Sequence, residues 1–130
     1  MGVWPKLATP LEEKRRRRLA FIERLYERSD GDPMAWVNYR DIGEELGWSD
    51  EEAQTVTLYL RDEGLLTFPV LGGAVSITHA GIVEMEEAID NPDRSTPHFP
   101  PISVINVYGD VRDSQLQAGT YDSRQKRPSP

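Results

Sequence analysis

Cysteine is absent from this chain, which excludes disulfides, thiolate metal sites and cysteine nucleophiles. Nor is there any run near the roughly 18 consecutive apolar residues that a membrane span needs. The opening "MGVWPKLATP" lacks the apolar core of a signal peptide, so a cytoplasmic protein with no membrane contact is expected. Histidine is scarce: His79 falls at a predicted helix start and His98 in a proline-rich stretch. Neither has a catalytic motif around it, and the expectation is a non-enzyme without a cofactor. Asp41, Glu44 and Glu45 share a predicted helical face, but three carboxylates without a histidine read as a solvated surface, not a metal site. Positive charge is also in deficit. The net charge of −7 disfavours nonspecific attraction to nucleic acid or anionic lipid unless a local basic patch overrides it.

What is present fits one small soluble core and an appendage: 130 residues, 38% of them hydrophobic. Residues Met1 to Pro92 hold 18 acidic and 10 basic side chains, net −8, whereas Asp93 to Pro130 hold 4 and 5, net +1. "NPDRSTPHFPP" divides the two parts, and its prolines stop a preceding helix and favour an extended path. The expected organisation is a domain over 1–92, a proline-rich linker over 93–103, a β-forming motif over 104–120 and a disordered tail over 121–130.

Within the domain, Thr9-Pro10-Leu11-Glu12 predicts a helix start, with Thr9 as cap and Pro10 at the first helical position. Leu11, Leu19, Ile22, Leu25 and Tyr26 form its expected buried stripe, and "SDGDP" breaks the helix after about Arg28. A short segment around Trp36 and Val37 leads to "NYRDIGEELG", a brief helix capped by Asn38 that buries Ile42 and Leu46 and ends at Gly47. "SDEE" is a capping box for the next helix, in which Ser49 caps, Glu52 reaches back, Ala53, Val56 and Leu60 face the core, and Gly64 terminates. "LLTFPV", "LGG" and "AVSIT" read as strand, turn and strand. Thr78 then caps a last helix with Ile82, Met85 and Ile89 on its inner face.

The fold class is therefore mainly α with a small β-wing (α+β). From about Leu11 to Asn91, and above all in "VNYRDIGEELGWSDEEAQTVTLYLRDEGLL", the chain resembles a winged helix-turn-helix domain. That scaffold serves both DNA readers and protein-contact modules. In DNA-binding members the second helix of the motif enters the major groove and offers Arg, Lys, Asn or Gln to base edges. Here Ser49 to Glu63 carries five carboxylates against Arg61, net −4, and its first turn is Asp50, Glu51 and Glu52. Those three also suit a helix N-terminus for electrostatic reasons alone. Gln54 and Thr55 remain as base contacts, and Leu58 with Tyr59 forms either a partner surface or packing under the wing or tail. The wing, "FPVLGGAVS", has no Lys or Arg. The basic run "KRRRR", with Lys14, Arg15, Arg17 and Arg18, is either a solvated surface paired with Glu12, Glu13, Glu23 and neighbouring acids, or a patch for nucleic acid or an acidic partner.

The tail "INVYGDVRDSQLQAGT" alternates apolar and polar residues and includes a plausible turn at Gly109-Asp110. Two short strands alone are marginal in water, so they need a surface: the domain itself, the same segment in another copy, or another protein's sheet edge. Stacked copies would ladder Asn106, Gln115 and Gln117 and bury Val107, Val111 and Leu116, with bends at Gly109 and Gly119. Leu116-Gln117-Ala118-Gly119, preceded by Val107-Tyr108-Gly109-Asp110-Val111, resembles the short motifs of bacterial amyloid signalling and the related mammalian necrosis-signalling family. That resemblance implies homotypic cross-β contact between a receptor and an effector, often in anti-phage systems. Asp110, Arg112 and Asp113 depart from it, since like charges would repeat in register. The expected function is a non-enzymatic interaction module, whose partner is a second copy or another protein. DNA regulation is the alternative, and a chain ending at Asn91 is expected to stay folded and monomeric.

Overall fold

A computed structural model describes residues 10–69 and 72–105. Helix α1 (Pro10–Ser29) starts on the expected proline, and Thr9 lies outside the described residues. Its inner face is Leu19, Phe21, Ile22 and Leu25, all fully buried. Leu11 is 59% exposed and does not belong to that stripe. Periodicity sets Leu11 on the correct side, but no residue of α1 before Leu19 is buried. Asp30 and Gly31, both at positive φ, then end it.

Strand β1 (Val37–Asn38) runs directly into helix α2 (Tyr39–Glu45), because the Asn38 side chain accepts the Arg40 N–H at 2.8 Å and caps the first turn. Helix α3 (Asp50–Asp62) opens on the expected capping box: Glu52 N–H donates to Ser49 Oγ at 3.1 Å and Ser49 N–H donates to Glu52 Oε1 at 2.8 Å. Gly47 and Gly64, at φ of 78°, turn the chain out of α2 and α3 in the left-handed conformation that glycine adopts without strain. Strands β2 (Leu66–Thr67) and β3 (Ala74–Ile77) follow, then helix α4 (His79–Asp90), capped by Thr78. The sheet order is β1-β3-β2, antiparallel, with Val37 opposite Val75 and Leu66 opposite Ile77. Mainly helical with a three-stranded antiparallel sheet, the body has an arrangement compatible with a winged helix.

Helix α4 differs from expectation in the face it buries. Gly81, Glu84, Met85 and Ala88 point inward, Ile82 is half-buried and Ile89 is 48% exposed. Small residues decide this. A Cβ on Gly81 would lie 2.3 Å from the Leu65 carbonyl oxygen and 2.9 Å from Ile77 Cγ1, so α4 docks backbone-first on the sheet end and turns Ile89 outward.

The proline-rich stretch is the larger correction. Residues 93–103 are not a linker, and the body does not end near Pro92. Phe99 is fully buried and Ile102 nearly so, both in the same core as Leu25, Leu65 and Met85. Prolines keep the path non-helical, as expected, but the apolar area of Phe99 and Ile102 fastens it to the body. Backbone bonds close it further: Thr96 N–H to Phe99 O at 2.9 Å and Ser103 N–H to Pro92 O at 3.0 Å. Residues 103–105 form a helical turn, and Ile105 packs against the core, whereas the expected β motif was to begin at 104. The rest of that motif, and the tail over 121–130, lie outside the described residues.

Candidate functional site

The outer surface of α3 is built with side chains from two neighbours, α1 and α2. Ser49 and Glu52 fix its first turn, and the Ser49 N–H bond holds the exposed Glu52 carboxyl below its ordinary value, with Arg17 adding to the effect. Arg40 on α2 pairs with Asp50 at 3.0 Å, and Arg17 on α1 lies 3.6 Å from Glu52 and 3.5 Å from Glu13. Arg16 pairs with Glu13 at 2.9 Å. Arg18 stacks over the Tyr59 ring, 3.5 Å from its centroid, and Arg17 lies 5.8 Å from that of Trp48. At the far end Arg61 bonds Asp62 at 3.0 Å.

The basic run is therefore divided. Arg17 and Arg18 reach α3, Lys14 is exposed to solvent and Arg15 is half-buried, so the structure does not gather the four into one patch. A helix carrying five consecutive cations must spread them around its whole circumference. Gln54 and Thr55 are exposed, with the Thr55 hydroxyl donating back to Glu51 O at 3.0 Å. Leu58 is half-buried. Tyr59, also half-buried, packs against the core beneath Arg18, so packing and cation stacking occupy part of the surface expected for a partner. Val107, Gly109, Val111, Gln115, Leu116, Gln117 and Gly119 all fall outside the described residues.

A second constellation escaped the sequence reading. Glu84 on α4 is only 6% exposed and accepts three hydrogen bonds: from Thr96 Oγ1 at 2.5 Å, from the His98 backbone N–H at 2.7 Å, and at its other oxygen from His98 Nδ1 at 2.7 Å. His98 Nε2 faces Glu63 Oε1 at 3.0 Å, just past the end of α3. The Glu84 bond raises the His98 pKa above its ordinary value against the opposing effect of burial, and the charges of Glu84 and Glu63 add to the rise. His79, by contrast, is exposed at the start of α4, and Asp41, Glu44 and Glu45 are exposed on α2. Among the described residues no group of three or more His, Asp or Glu is placed to hold a metal ion, and no helix is long and apolar enough to cross a membrane.

No family model, curated protein or solved structure matches the chain.

Proposed function

We propose that this chain is a non-enzymatic winged-helix interaction module, whose body presents a motif within 104–120 for pairing with a second copy or a partner protein. The observation that carries the reading is the electrostatics of α3. The cations beside it, Arg17, Arg40 and Arg61, are engaged by Glu52, Asp50 and Asp62, and Arg18 is stacked on Tyr59. A duplex docking on this helix would meet carboxylates at its first turn. It would also have to take those arginines from their present partners before any phosphate contact forms. Exposed ion pairs are individually weak, at about 0 to 1 kcal/mol each, but here they leave the groove-facing side acidic. Protein partners tolerate such a surface; phosphates do not.

Binding of a random duplex pool, titrated across salt, tests this. No specific binding tighter than about micromolar is expected at physiological salt, where specific readers reach about 10⁻⁸ M. Nanomolar affinity that survives moderate salt and disappears on changing Gln54 or Thr55 would instead establish a DNA reader.

A further inference from the structure

The segment over 92–105 is held to the body in two ways. Phe99 and Ile102 anchor it through apolar burial, and the Glu84, Thr96, His98 and Glu63 bridge anchors it through polar bonds. The two anchors differ in what they require. Both ring nitrogens of His98 face carboxylate oxygens, at 2.7 Å and 3.0 Å. A neutral imidazole carries a single N–H, so it can donate to one carboxylate while directing a lone pair at the other. Only the imidazolium donates to both. Its positive charge also matches Glu84, a buried carboxylate whose remaining donors, the Thr96 hydroxyl and the His98 backbone N–H, are neutral.

We infer that His98 is a proton-operated clasp: its protonated ring holds the segment over 92–105 to the ends of α3 and α4, and its deprotonation loosens that segment. Among the described residues, the ionisable groups facing the ring are Glu84 from α4 and Glu63 from the end of α3; its own segment adds the Thr96 hydroxyl and the neutral Phe99 ring, whose centroid is 6.1 Å away. Both carboxylates favour the charged ring. The direction of the pH effect follows. A histidine whose folded pKa is raised contributes stability that is complete below the ordinary value near 6.5 and is lost as pH rises through the higher folded value. The loss is local, because α1, α2 and the sheet make none of these bonds. The ring's protonation thus sets how firmly 92–105 is held, and residues from 106 onward follow that segment in sequence. None of this depends on what those residues bind.

Amide hydrogen exchange on the full chain at pH 5.5 and pH 8.5, corrected for intrinsic rates, tests the clasp through the His98, Phe99 and Ser103 amides, with α1 and α2 as internal references. These pH values flank the ordinary histidine range, and the chain's two histidines are the side chains that ordinarily titrate there. Protection of the segment is expected to fall on raising the pH, by on the order of tenfold for each unit by which the His98 pKa exceeds its ordinary value, while α1 and α2 stay constant. His79→Gln should retain the whole response. His98→Gln should abolish it, leaving protection at both pH values like that of the wild type at pH 8.5. Glu63→Gln alters a side chain at the surface and should shrink the response even if the His98 variant folds poorly. Equal wild-type protection at the two pH values, an undiminished fall in His98→Gln, or a ring that titrates at or below its ordinary value would overturn the clasp.

Discussion

Gly81 shows how one residue without a side chain orients a helix. A methyl group there would meet the Leu65 carbonyl oxygen at 2.3 Å, a backbone atom that cannot rotate away. Gly81→Ala is therefore expected to destabilise by at least about 2 to 3 kcal/mol, despite alanine's better helix propensity. Urea unfolding measures it, and a neutral or stabilising effect would show that α4 can move off the sheet end. The same residue explains a failure of periodicity. Ile82, Met85 and Ile89 are the large apolar residues at helical spacing, but close approach is set by Gly81 and Ala88, so Ile89 faces water. His98 was illegible for another reason. Its two carboxylates are 14 and 35 residues away in sequence, and no local pattern ties a histidine in a proline-rich stretch to a glutamate on one helix and another at the end of a second.

Elements whose signals are local were legible. The caps Asn38, Ser49 and Thr78 and the glycine stops at Gly47 and Gly64 depend on bonds within a few residues, so the sequence that specifies them lies beside them, and β2 and β3 pair as neighbours in sequence. Thr78 does more than its local pattern implied. Its hydroxyl accepts the Gly81 N–H at 3.1 Å and donates to the Gly64 carbonyl at 2.7 Å, tying the first turn of α4 to the glycine that ends α3. Thr78→Ala therefore removes a cap and leaves a carbonyl without this donor, at a cost of about 1 to 2 kcal/mol. Thr78→Ser keeps both bonds and should recover most of that in the same thermal or urea measurement. Recovery by neither serine nor asparagine would assign the loss to the threonine methyl. What element-level reading could not supply is the path after α4. Proline density specifies a non-helical route but not whether water or the core receives its Phe and Ile.

At the scale of the molecule, the packing of residues 92–105 changes where the chain can be cut. Ending it at Asn91 deletes Phe99 and Ile102 from the core and removes the Thr96 and His98 donors from Glu84. Loss of one buried Phe costs about 3 to 5 kcal/mol, and each kcal/mol shifts the melting temperature of a domain this size by about 4 to 8 °C. That truncation should therefore melt more than about 12 °C below the full chain, whereas ending at Ile105 should alter the melting temperature by only a few degrees. With the stable cut located, the role proposed for the following segment becomes separable from folding. The chain ending at Ile105 is expected to sediment as a monomer and the full chain as a larger species. Val107→Asp or Leu116→Asp should return the full chain to the monomer at unchanged melting temperature, because a period-2 strand presents its adhesive residues on one face and a carboxylate there would be buried unpaired. A full chain that stays monomeric over a wide concentration range would eliminate self-pairing. If cutting at Ile105 also lowered the melting temperature by several degrees, residues beyond it would belong to the body, for the same reason that 92–105 do.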